Sequence, residues 1–321
     1  MFYNPTKTFT LFNCNRMKKL FHFKAIIIIL SFISFCLSNT TAQTKIKVAC
    51  VGNSITYGYG IASPATQSYP AQLQVLLDPT KWTVENFGVS ARTMLKKGNL
   101  PYWNEPAYAN AKAYLPNFVV IELGTNDAKT PNWDLHGKEF TSNYKEMINA
   151  FRNLPSKPDV WIGLVPPGQH ISWTIRGNYL KDSVNSKIKQ IALESGVGLI
   201  DIFDAFNGKN SNWFNPNTMQ SDSIHPTAAG AGIIAQKVKE MITRTKPTLR
   251  YLQGKIIAPT ANAYQWYYNG SIISSEMKAN GNKLVPTKIG KYKVSLKINA
   301  NNETRIVSNE IEIKSLTRKK N

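Results

Sequence analysis

Cysteine is nearly absent from this chain. Only three occur in 321 residues. Cys14 and Cys36 fall in or before an apolar N-terminal run, so Cys50 stands alone in the rest. A disulfide-stapled scaffold is thereby excluded. Cys50 sits inside an apolar strand and reads as core rather than nucleophile. Histidine is almost as scarce, with four in all, and no cluster of His, Cys, Asp or Glu has metal-ligand spacing. No metal and no cofactor are expected. Acidic residues are few, 19 against 39 basic ones, for a net charge of +20. No apolar run reaches the roughly 20 residues that span a bilayer comfortably. No internal repeat or low-complexity segment stands out, which argues against a solenoid or fibrous protein.

What is present at the N-terminus has the pattern of a targeting segment. Lys18, Lys19 and Lys24 precede an apolar run at residues 25–37, and a polar stretch ends in Thr41-Ala42-Gln43. Basic residues, a short apolar core and a small-residue exit predict a signal peptide over residues 1–43. Met17 is then a plausible true start. The alternative is an uncleaved anchor. Cys36 follows Ile33-Ser34-Phe35, a poor match to a lipidation site. Export to the periplasm, the cell surface or the medium follows from this reading.

The positive balance persists outside that segment, at +15. Such a charge suits anionic surfaces or substrates. Nucleic acid is not the expected partner, because no helix-turn-helix, zinc or RNA-binding signature occurs. The lysines are scattered, many at alternating strand positions, and read as a solvated face.

The length suits two domains. Apolar strands are predicted at residues 45–51, 82–87, 118–123, 160–165 and 197–202. Helices are predicted at 68–77, 138–154, 176–195 and 227–243, with Tyr144, Met147, Ile148 and Phe151 on one face of the second. Strands alternating with helices imply a mostly parallel sheet covered on both faces. The pattern changes near Lys246-Pro247. In residues 291–298, Tyr292, Val294, Leu296 and Ile298 alternate with lysines and a serine. Ile311 and Ile313 repeat the alternation, and Asn269-Gly270 marks a hairpin turn. A small all-β sandwich is expected over residues 247–321. It resembles an immunoglobulin-like module, with Trp266 as the buried strand tryptophan and Tyr292 at the tyrosine corner.

Four loops carry candidate chemistry. Gly52-Asn53-Ser54 follows the first strand, Asn86-Phe87-Gly88-Val89-Ser90 the second, and Gly124-Thr125-Asn126-Asp127 the third. Asp222-Ser223-Ile224-His225-Pro226 precedes the last helix. In an open parallel sheet, ligands bind outside the carboxyl ends of the strands. A serine hydroxyl needs an adjacent base held by a third group, and Asp222 and His225 are close enough in sequence to meet on one turn. The histidines beyond residue 43 are His136, His170 and His225, and only His225 lies in one of these four blocks. Taken singly, each block is ordinary turn or cap chemistry.

Their order is not ordinary. Over residues 45–245 the chain resembles the SGNH, or GDSL-type, hydrolase family, named for its Ser, Gly, Asn and His, here Ser54, Gly88, Asn126 and His225. The resemblance implies a flavodoxin-like three-layer α/β sandwich with a mostly parallel five-stranded sheet in residues 44–246. It implies a Ser54–His225–Asp222 triad and an oxyanion hole from Ser54, Gly88 and Asn126. One position departs: the family's first block commonly reads Gly-Asp-Ser, and here it is Gly52-Asn53-Ser54. That puts local loop bonding in question more than the chemistry.

The resemblance leans toward secreted carbohydrate esterases that remove O-acetyl groups, in the sialate O-acetylesterase and xylan or pectin acetylesterase branches. An acetylated sugar or other small ester is the expected substrate, and a monomer the expected state. In the loop at residues 166–176, Trp173 is a candidate for stacking on a sugar and Arg176 for meeting a carboxylate. The other reading has Trp173 packing the loop against the following helix. Trp133 and Trp213 are weaker candidates. The same family holds lipases, lysophospholipases and thioesterases. A different class stays open as well: a secreted, non-catalytic carbohydrate-binding or adhesion protein. The segment at residues 247–321 carries a charge of +9, which suits contact with an acidic glycan or a cell surface.

Overall fold

The computed structural model describes residue 1 and residues 44–210, 212, 214–273 and 279–316. The signal-peptide reading and Trp213 lie outside the described residues. The chain divides into two compact units, Met1–Thr44 and Lys45–Asn321, and the second holds all described elements.

Five strands form the parallel part of the sheet: β1 (Ile46–Gly52), β2 (Trp82–Gly88), β3 (Phe118–Glu122), β4 (Asp159–Gly163) and β5 (Gly198–Ile200). Their spatial order is β2-β1-β3-β4-β5, and every adjacent pair is parallel. Side chains alternate between faces, so Val48 and Cys50 join one core while Ala49 and Val51 join the other. Around β1, β3, β4 and β5 both faces are dry, which explains why these strands read as largely apolar runs, whereas β2 at the edge is part-exposed and carries Thr83, Glu85 and Asn86. Burial pushes the Cys50 thiol up to about 12, which leaves it inert as a nucleophile.

Six helices matter for the site: α1 (Ser54–Tyr57), α2 (Tyr69–Leu76), α3 (Pro106–Ala113), α4 (Phe140–Arg152), α5 (Asn185–Ser195) and α6 (Ala228–Ile242). Leu73 of α2 and Ile234, Ala235 and Val238 of α6 cover the Val48–Cys50 face. Tyr144, Met147, Ile148 and Phe151 of α4, with Ile188 and Ile191 of α5, cover the other. The helix expected at 176–195 contains a π turn, Tyr179–Val184, ahead of α5. That wider turn keeps Leu180 and Val184 buried in line with Ile188. Among the described residues no helix is long and apolar enough to cross a membrane.

The C-terminal segment is all strand: β6 (Arg250–Leu252), β7 (Lys255–Ile257), β8 (Ala263–Tyr268), β9 (Ser271–Ile272), β10 (Ala279–Asn280), β11 (Lys283–Leu284), β12 (Gly290–Lys297), β13 (Arg305–Val307) and β14 (Ile311–Ile313). Asn269 and Gly270, at φ 46° and 84°, form the two-residue turn between β8 and β9. Strands β10-β11-β7-β6 make a separate four-stranded sheet. The other sheet is not separate, as a self-contained sandwich would have it. β13 pairs antiparallel with β5 through Arg305 and Leu199, so the order continues β5-β13-β12-β8-β9. Asp201 secures the junction by accepting from the Glu303 N–H at 2.7 Å. An open edge at β5 would expose unpaired backbone groups, and β13 covers it. Trp266, Tyr292, Val294 and Leu296 then share one apolar cluster with α2, α6 and the parallel strands.

Candidate active site

The first strand ends where Asn53 begins a single helical turn. Its side-chain Oδ1 accepts from the Ile55 N–H at 2.8 Å, which caps α1 and places Ser54 at the first helical position. Asparagine thus supplies the loop bond that the departure from Gly-Asp-Ser put in question. Ser54 is buried, with its Oγ 2.8 Å from His225 Nε2.

His225 stands on a tight turn of its own. Asp222 Oδ1 accepts from the Ile224 and His225 N–H groups, each at 2.9 Å, and Oδ2 lies 2.6 Å from His225 Nδ1. Ser223 takes a left-handed φ of 57° to close this turn. Burial pushes the Asp222 carboxyl up, but the His225 N–H, the imidazole and the Ile224 N–H outweigh it and hold it below the usual carboxylate range. Thr227 then caps α6, accepting from Gly230 N–H at 3.2 Å. The Tyr59 ring, 4.7 Å away, and the Trp173 ring, 5.8 Å away, flank the imidazole.

Asn126 lies just beyond β3, on the wall of the same pocket, and its amide donates to Arg92 O at 3.2 Å. The neighbouring Asp127 does not bond its own turn alone. Its oxygens accept from the Met94 and Leu95 N–H groups at 2.9 and 2.7 Å, tying the loop after β2 to the loop after β3. Burial pushes its carboxyl up to about 6.

Gly88 is not brought to the pocket. Its N–H donates to Asn86 Oδ1 at 2.9 Å, and a Cβ there would lie 2.3 Å from the Tyr57 backbone nitrogen. Glycine is required for close packing of β2 on α1. The same loop instead presents Ser90 and Ala91 to the pocket, with Ala91 at a left-handed φ of 67°. Nothing in an alanine signals that conformation, so sequence reasoning passed over it. Tyr59 and Lys129 also line the pocket without a sequence motif to mark them.

Trp173 reaches the pocket wall and stacks on His170 at 3.9 Å and 14°, rather than on the following helix. Arg176 lies outside this pocket, over the Tyr179 ring at 5.1 Å. Trp133 packs on Phe140 at 5.4 Å and belongs to the core margin. The pocket encloses about 250 Å³. No group of three or more His, Cys, Asp or Glu among the described residues is placed to hold a metal.

Beneath the serine turn, the last residue of β3 is a fully buried glutamate. Burial pushes the Glu122 carboxyl well above its usual range and outweighs the opposing pull of the Thr56 hydroxyl beside it. The folded state therefore holds this proton to higher pH than the unfolded chain does. Its contribution to stability falls as pH rises from the ordinary value of 4.5 through the raised one. Glu122→Gln is expected to gain stability over the wild type as pH rises in that window, by up to about 1.4 kcal/mol per pH unit. Urea unfolding at pH 5 and pH 8 measures this; an equal difference at both contradicts it.

Residues 50–233 match the GDSL-like lipase/acylhydrolase family, and the chain belongs to that family. It is similar to an acetylxylan esterase of Xylanibacter ruminicola, 37% identical over 217 residues. That match covers 62% of this chain and 44% of the relative, so it spans less than half of the relative's length. One solved structure, 16% identical, covers 61% of this chain and 96% of its own at a TM-score of 0.50, and shares the fold. An acetylxylan esterase from Geobacillus stearothermophilus is 22% identical, with coverages of 64% and 98% and a TM-score of 0.47.

Proposed function

We propose that this protein is an exported serine esterase that removes acetyl groups from carbohydrate esters. The observation that carries the reading is the hydrogen-bonded chain from Ser54 Oγ through His225 to Asp222, opening on a pocket with the Asn126 amide in its wall. In this reading His225 Nε2 takes the proton as Ser54 Oγ bonds to the ester carbonyl carbon. The Asn126 amide and the Ser54 N–H hold the oxyanion, with the Ala91 N–H in the place first expected of Gly88. Collapse breaks the bond to the alcohol, which leaves with the proton from His225. Water then attacks the acetyl-enzyme, giving its proton to His225, and acetate departs as Ser54 Oγ is reprotonated.

A pocket of about 250 Å³ favours a short acyl group, since drug-sized sites run from about 300 Å³ upward. The acetylxylan esterase similarity points the same way. Export rests on the basic and apolar pattern of residues 18–43. The immunoglobulin-like reading of residues 247–321 is supported by the buried Trp266 and by Tyr292, whose hydroxyl donates to Lys288 O at 2.7 Å.

The test compares p-nitrophenyl acetate, butyrate and octanoate with acetylated xylo-oligosaccharides. Expected are turnover that falls steeply with acyl length, and none in Ser54→Ala. Preference for octanoate would favour a lipase instead. Trp173→Ala is expected to lower kcat/KM on the sugar esters roughly tenfold, as loss of one stacking contact does, with little change on p-nitrophenyl acetate. Equal values on both substrates would remove Trp173 from sugar binding.

A further inference from the structure

Lys129 is half-buried on the wall of the Ser54 pocket, two residues beyond Asp127. It forms no ion pair among the described residues. Asp127 is the carboxylate that acts on it, but both Asp127 oxygens already accept from the Met94 and Leu95 N–H groups. Burial pulls the Lys129 ammonium below its usual range, so a second negative charge beside it would be stabilising. Among the described residues no carboxylate lines this pocket to supply one.

Ile175 is shared with an adjoining hollow of about 580 Å³ that contains Arg176. Gln169, Gly177 and Asn178 are shared in turn with a third hollow of about 460 Å³ that contains Lys181. Among the described residues the first two hollows have no acidic lining residue. Arg176 lies over the Tyr179 ring, donating to its hydroxyl at 3.2 Å, and that hydroxyl donates to Asp134 at 2.8 Å. The guanidinium is positioned by a neutral group and forms no ion pair among the described residues. Hollows that share wall residues with the ester pocket and its neighbour, with cations and, among the described residues, no acids lining the first two, fit an extended anionic chain.

We propose that the alcohol half of the substrate is an acidic glycan, whose sugar carboxylates meet Lys129 and Arg176 while the acetylated residue lies over Ser54. This rests on the esterase reading of the Ser54 site. The bound chain runs from the pocket past Trp173 and Ile175 toward Lys181. Lys129 reads a carboxylate on or next to the acetylated sugar, and Arg176 one farther along.

Acetylated oligogalacturonates and the same oligomers with methyl-esterified carboxylates are the probes, with p-nitrophenyl acetate as a third substrate. Wild type is expected to favour the free acid, by a ratio of kcat/KM that shrinks with added salt. Lys129→Met should lower that ratio roughly tenfold or more, Arg176→Met should lower it as well, and Lys129→Arg should restore it. An unchanged ratio in Lys129→Met overturns the proposal, as does equal turnover of the two oligomers by wild type. Turnover of p-nitrophenyl acetate with neither oligomer cleaved overturns the acidic-glycan proposal alone and leaves the esterase. Inertness toward all three overturns both.

Discussion

Asp222→Asn is expected to lower kcat by about three to four orders of magnitude while the protein stays folded. The carboxylate does two separable things. Oδ1 accepts from two backbone N–H groups and builds the turn, a task an amide oxygen performs equally well. Oδ2 faces His225 Nδ1 at 2.6 Å, and in the proposed mechanism it holds a proton on that nitrogen, leaving Nε2 to take the Ser54 proton. An amide turned to keep the turn presents its NH₂ to Nδ1. The ring proton then moves to Nε2, and the imidazole can no longer act as base. The carboxyl is held below its usual range, so its stabilising contribution is fully present above the ordinary value of 3.8 and is lost as pH falls through the lowered one. Turnover of p-nitrophenyl acetate near neutral pH gives the comparison. A variant within tenfold of wild type would remove Asp222 from the mechanism.

Asn126→Ala is expected to lower kcat about 10²–10³-fold, the cost of one oxyanion donor, with KM little changed. The pocket should survive the truncation. Asp127 keeps its grip on the Met94 and Leu95 N–H groups, and Asn132 still donates to the Asn126 carbonyl at 2.9 Å. What is lost is the amide and its 3.2 Å bond to Arg92 O. Circular dichroism and thermal unfolding of the variant establish that the fold is intact. Near-normal kcat would take Asn126 out of the oxyanion hole and leave the backbone donors to hold the charge.

The parallel core was legible because its physics is local. Strands buried on both faces are apolar throughout, and Tyr144, Met147, Ile148 and Phe151 carry the helical period of α4. The docking of β13 on β5 was not legible. Arg305 and Leu199 are 106 positions apart in the chain, and an alternating strand reads the same whether its edge is free or paired. Ser54, Asn126, Asp222 and His225 were found because each lies at a strand end or helix cap, in a recognisable order. Gly88 is the glycine that the family order points to, yet the structure uses its lack of a Cβ against Tyr57, and places Ala91 at the pocket in a conformation alanine rarely adopts. Lys129 carries no motif at all; only the fold shows that it lines the same pocket as the serine.

The central claim is that Ser54 is a nucleophile activated by His225. Diethyl p-nitrophenyl phosphate, followed by intact-protein and peptide mass spectrometry, tests it most directly, since the phosphorus is attacked by an activated serine and the adduct stays on it. One diethylphosphoryl group per chain is expected, located on Ser54, formed with release of one p-nitrophenol, and absent from both Ser54→Ala and His225→Ala. A stoichiometric adduct elsewhere, or undiminished labelling of Ser54 in His225→Ala, would contradict it.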